Sequence, residues 1–171
     1  VNRDLKVTLF TLLAVGACIM LQSTILGKVA IRGVRPDLAL IVLVFVSLRR
    51  GSMVGQVSGF VSGFLEDLMN VSPLGFHSLL KAVIGYLYGV FSGKVFVDPF
   101  LMPMVLTVVA TIIKGVLAGI VSALFSITAS GFITFTGRLW IEVAYNGVLA
   151  PFLFALLNLF RIFKQADKEG A

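Results

Sequence analysis

Glu66, Asp67, His77, Lys81, Lys114 and Glu142 stand within or beside long apolar runs of this 171-residue chain. Side chains of these types can relay protons, hold a ligand or cleave a bond with a pair of acids. Their spacing narrows the choice. Glu66 and Asp67 are sequence neighbours, so on a helix they point about 100° apart and make a poor acid dyad. His77 is the single histidine, Ser78 beside it cannot face it on a helix, and no pair of histidines has metal-ligand spacing. No phosphate-cradling loop is present. The expectation is therefore a non-enzymatic chain with no cofactor and no metal.

Charges in an apolar setting still need partners. An unpaired charge at mid-membrane costs about 2.5–3.5 kcal/mol. Several left alone would rival a whole domain's stability of about 5–15 kcal/mol. If the turn at Asn70–Ser72 faces outward, Glu66 and Asp67 end one helix near the outer surface, and His77 and Lys81 follow within two turns. Glu142 lies near the outer end of the last run. These five residues are expected to form one polar cluster, with Lys81 bridging to Asp67. Lys114 sits deeper, with Asn146 within reach. The cluster is expected to staple the bundle together, and a proton or ligand role is the competing reading.

The elements that must carry these residues are membrane helices. The chain is 58% hydrophobic and 13% charged, against roughly 25% charged for a soluble domain, and its mean hydropathy is +1.05. The net charge of +6 comes from lysines and arginines placed between apolar runs. Topology and anionic headgroups explain them better than nucleic acid does. One polytopic membrane domain is expected over 1–171, with helices at about 7–26, 36–50, 53–69, 74–93, 101–126 and 139–160. Both termini are then on one side. A cytoplasmic assignment puts Arg3, Lys6, Arg49, Arg50, Lys94, Arg161, Lys164 and Lys168 inside, and Lys28, Arg32, Arg35 and Arg138 outside. Cys18 reads as a small residue of the first helix, and that run is expected to stay as an anchor. The second run is short of the roughly 20 residues that span a bilayer, so it must thin the bilayer, be shielded by protein or fall short of spanning. Pro36 suits its first turn.

Gly55, Gly59, Gly63 and Asp67 recur every fourth residue, and so do His77, Lys81, Gly85, Gly89 and Gly93. Each set forms one ridge of a helix, where missing side chains let a second helix approach closely. The two ridges are expected to pack face to face, and a ridge left unpaired would be a groove for a partner's membrane helix.

Arg35-Pro36-Asp37-Leu38 opens an apolar helix. Gly59-Phe60, Gly63 and Asp67 follow, then Ser72-Pro73-Leu74-Gly75, and finally Asn146-Gly147-Val148-Leu149 with Pro151. In this order and spacing the chain resembles the bacterial rod shape-determining MreD family over nearly its whole length. The resemblance implies an all-α integral membrane protein of six transmembrane helices, similar to the substrate-binding subunits of energy-coupling-factor transporters, in the bacterial cytoplasmic membrane. It implies a scaffold of the cell-elongation complex that supports peptidoglycan synthesis. Such a scaffold binds the membrane helix of MreC and reaches a RodA-type glycosyltransferase, a class B penicillin-binding protein and MreB through it. The rival reading is a small-molecule subunit that binds or transports a vitamin-like or lipid-linked precursor, with Glu66, Asp67, Lys81 and Glu142 as its polar groups.

Overall fold

The computed structural model describes residues 34–69, 73–94, 100–125 and 137–159. The first apolar run, Cys18, most of the loop after Phe125 and the basic tail lie outside them. Five helices occupy the second to sixth apolar runs: α1 Leu38–Arg50, α2 Ser52–Met69, α3 Phe76–Val90, α4 Leu101–Leu124 and α5 Arg138–Leu159.

α1 is the axle. Its sequence LALIVLVFVSLRR is apolar on every side, so it needs burial all round. Every residue from Ala39 to Leu48 is buried, and α1 touches each of the other four helices. Its 13 residues span only about 20 Å, and protein shields them on every side. Pro36 is not in its first turn but just ahead of it. The cap is Asp37, whose Oδ1 accepts from Leu40 N–H at 2.9 Å. Gly51, at φ 87°, ends the helix and lets α2 begin at the next residue.

α2 and α3 form the tightest pair, an antiparallel hairpin. The glycine ridges meet face to face: Gly55 lies against Gly85, Gly59 against the Lys81 carbonyl, Gly63 against His77, and Gly89 against Ser52. A Cβ at any of these glycines would overlap backbone of the other helix, so the absent side chains set the separation. The ridge is therefore filled from within the chain and is no groove for another molecule.

α4 and α5 form the second pair. Gly147 lies against Val108, and Gly115 against the Leu139 side chain. Pro151 lies inside α5 and is buried. Its ring removes the N–H that would have bonded the Gly147 carbonyl, a loss tolerated where neighbouring helices enclose the backbone. The pairs are tied together by Tyr88 Oη, which donates to the Leu106 carbonyl at 2.7 Å, and α1 is tied to α5 by Arg49, which donates to Asn158 Oδ1 at 3.2 Å.

Polarity runs opposite to that of a soluble domain. Asp37, Ser58, Ser62, Asp67, Lys81, Thr107, Thr111 and Asn146 are buried. Met53, Val57, Phe60, Phe64 and Leu68 form an exposed stripe on α2, with Phe60 and Phe64 stacked, and α4 and α5 are similarly apolar outside. Exposed apolar surface this continuous belongs against lipid or another membrane helix. α4 and α5, at 24 and 22 residues, are long and apolar enough to cross a bilayer.

A buried belt of alternating charge as the candidate functional site

Each of the five helices supplies one charged group to a single row. Lys81 Nζ, at the centre of the bundle, lies 3.0 Å from Asp37 Oδ1 and 2.6 Å from Glu66 Oε2. Lys114 Nζ lies 2.9 Å from Asp37 Oδ2 and bonds Glu142 Oε1. The order is Glu66, Lys81, Asp37, Lys114, Glu142, alternating acid and base from α2 through α3, α1 and α4 to α5. Asp37 is the keystone: each of its oxygens meets one lysine, and Oδ1 also caps α1. Its backbone N–H donates to Asn146 Oδ1 at 2.8 Å, and Asn146 Nδ2 donates to Thr111 Oγ1 at 3.1 Å. The amide thus uses both ends to join the start of α1 to α4 and α5.

Asp67 belongs to a separate arrangement. Its carboxylate accepts from the N–H groups of Gly75, His77 and Ser78 at 3.0–3.2 Å, from Ser78 Oγ at 2.9 Å, and meets His77 Nδ1 at 2.8 Å. The first turn of a helix leaves its N–H groups without intrahelical partners. Here the acid ending α2 caps α3 across the turn, while Gly75 at φ 96° allows the chain to reverse. Hydrogen bonds to a charged group contribute about 1.5–3 kcal/mol. Asp67→Ala is therefore expected to destabilise the hairpin by at least that amount. Limited proteolysis in detergent should show faster cutting between residues 69 and 76 than in the parent chain. Unchanged cleavage would mean that the clasp contributes nothing.

The expected single cluster is thus two. Asp67 and His77 meet, with Ser78 added. Lys81 does not bridge to Asp67: its stem leaves the ridge toward Asp37 at the start of α1 and Glu66 of α2. Glu66, Lys81 and Glu142 join one row, and Lys114, placed by its sequence position at a different depth, reaches the same row with its long stem. Asn146 does neighbour the α4 residues, through Thr111 rather than Lys114. Gly55, Gly59, Gly63, Gly85 and Gly89 lie in the α2–α3 contact, and Pro151 is enclosed one turn beyond Gly147. In the sequence Asp37 stands out only as part of the Arg35-Pro36-Asp37-Leu38 motif. The signal that it carries charge into the core was the shortness of α1, since a helix shielded by protein at its first residue buries its cap as well.

A sequence profile of the family described as rod shape-determining protein MreD matches residues 3–160. The chain belongs to the MreD family. Neither a curated relative nor a solved structure matches it. The family places the chain in the membrane and in rod shape determination, in agreement with the two long apolar helices. Structure now gives physical content to the residues that carried the resemblance to MreD. Arg35-Pro36-Asp37-Leu38 supplies the keystone acid, and the Gly-Phe run with Asp67 supplies the close contact and the clasp. Asn146-Gly147 with Pro151 supplies the amide bridge and the α4–α5 contact. The first and third segments meet at the start of α1, and the second lies in the hairpin packed against that helix. Among the described residues no group of three metal-ligating side chains converges.

Proposed function

We propose that this MreD-family chain is a non-enzymatic scaffold of the cell-elongation complex in the bacterial cytoplasmic membrane, and that it binds the membrane helix of MreC. Through MreC it connects to a RodA-type glycosyltransferase, a class B penicillin-binding protein and MreB. In this reading the chain has six membrane helices, with both termini in the cytoplasm and an architecture like that of energy-coupling-factor substrate subunits. The family match over residues 3–160 is the observation that carries it. The buried charges add support against the small-molecule alternative, because the lysines and acids that would greet a ligand are engaged with one another.

With the glycine ridge filled, contact falls to an outward face. The stripe Val148, Phe152, Leu156 and Leu159 on α5 suits a helix laid alongside, since these residues repeat at one helical turn and are exposed. Co-purification with full-length MreC is the test. Phe152→Ala with Leu156→Ala is expected to weaken capture about tenfold, since truncating a contact residue typically costs about 1 kcal/mol or more. Phe60→Ala with Phe64→Ala should leave capture intact. Equal capture by all variants would remove the α5 face as the interface, and no capture by the parent chain would remove the reading.

A further inference from the structure

Two rows of side chains flank the α2–α3 seam on the side away from α1. A helix turns about 100° per residue, so the residue after each ridge position stands beside the seam. On α2 these are Gln56, Phe60 and Phe64, and on α3 they are Ala82, Tyr86 and Val90. The helices are antiparallel and of one hand, which puts both rows on the same side. Ile84 and Tyr88 pack into the α1 core on the opposite side, so the two rows face outward. Gln56, Phe60, Phe64, Tyr86 and Val90 are exposed, and Ala82 is half-buried. The seam contacts also fix which residues share a level. Gly55 against Gly85 sets Gln56 level with Tyr86, Gly59 against Lys81 sets Phe60 level with Ala82, and Ser52 against Gly89 sets Met53 level with Val90. Gln56 and Tyr86 each stand one turn, about 6 Å, inside the end of their helix. Among the described residues no side-chain hydrogen bond engages either one. Open polar groups of this kind, set in an apolar outer face, supply the hydrogen bonds that join membrane helices.

We propose that this face joins two copies of the chain, with Gln56 of each bonded to Tyr86 of the other. A twofold axis along the membrane normal keeps every residue at its depth and lays α2 of one copy against α3 of the second. Each α2 row then meets an α3 row at the same level. The Gln56 amide holds both donors and an acceptor, and the Tyr86 hydroxyl gives and takes a bond, so the pair is complementary and is made twice. One turn further along, Phe60 meets Ala82, a large side chain against a small one. One turn back, Met53 meets Val90. A single foreign helix covers one row, whereas a second copy matches both rows with the same residues. The α5 stripe belongs to the other helix pair and stays free for the helix of MreC.

Energy transfer between donor-labelled and acceptor-labelled full-length chains in liposomes, followed as lipid is added, reads the dimer. The parent chain is expected to associate, with transfer fading on dilution. Tyr86→Phe removes one hydroxyl and leaves the packing, and Gln56→Leu removes the amide. Each is expected to weaken association about tenfold, because two symmetry-related hydrogen bonds are lost and each contributes a few-fold. The double variant should be no weaker than either single one, since both break the same bond. In a Cys18→Ser background, Phe60→Cys chains mixed with Ala82→Cys chains should form a disulfide-linked pair. Val116→Cys, on the exposed face of α4, should form none with Ala82→Cys. A parent chain that is monomeric at every lipid ratio overturns the proposal and leaves this face to lipid or to another protein's helix. Association indifferent to Tyr86→Phe, or a disulfide through Val116 and none through Phe60, overturns the assignment to this face.

Discussion

Lys81→Met is expected to cost about 3–5 kcal/mol of stability, the range for removing one partner of a buried ion pair, and to be largely repaired by adding Glu66→Gln. Methionine fills much of the same space, so the loss reports the charge rather than a cavity. Lys81 is fully buried and joins acids from α1 and α2 to its own helix α3. Without it Asp37 still has Lys114, but Glu66 loses its lysine and is left as a stranded charge. Glutamine at 66 keeps the shape of that side chain while removing the stranded charge. Residues in one network couple by about 0.5–3 kcal/mol, so the double variant should melt above Lys81→Met in detergent. A double variant no more stable than the sum of the two single losses would show that the row does not act as a unit.

Gly63→Ala and Gly59→Ala are expected to destabilise the hairpin, each by about 1–3 kcal/mol, and leucine at either position should prevent its assembly. The added Cβ at Gly63 meets the His77 carbonyl and Ser78 Cα, and at Gly59 it meets the Lys81 carbonyl. These neighbours are backbone, so the helices must separate, and separation moves Lys81 away from Glu66. Gly119 supplies the control. A Cβ there meets nothing within 4 Å, so Gly119→Ala removes chain entropy without overlap and should stabilise α4 by about 0.5–1 kcal/mol. Thermal unfolding of the three alanine variants in one detergent checks the ordering. If Gly63→Ala melts with Gly119→Ala, the close contact is not what holds α2 to α3.

The parts of this structure that could be read from the chain are those with a short period. Apolar runs placed the helices, and a four-residue recurrence of glycines gave the ridge and, through its echo in α3, the face it meets. Asp67 and His77 are ten residues apart across one tight turn, so their meeting followed from local geometry. The belt is different. Lys81 has Asp67 nearby in sequence but turns to Asp37, 44 residues away, because the ridge that faces α2 is backbone-tight and the lysine stem leaves at its edge toward α1. Lys114 reaches the same acid from 77 residues away. Nothing in the spacing of either lysine encodes the position of α1, which is set only when two helix pairs close around it. Depth was the weaker guide as well, since a lysine stem reaches several ångströms along its helix.

The enclosure of α1 also orders the birth of the protein. A segment of 13 residues ending in Arg49 and Arg50 is too short to hold a place in lipid by itself, yet the ribosome makes it before any of the four helices that wall it in. It has to wait for α2 and α3, and then for α4 and α5, before its last neighbours and the Asn146 bridge exist. The enclosure of α1 is therefore complete only once α5, the last of the described helices in the chain, is in place. A chain without α5 would leave α1 open on one side and Asp37 without its Asn146 bridge.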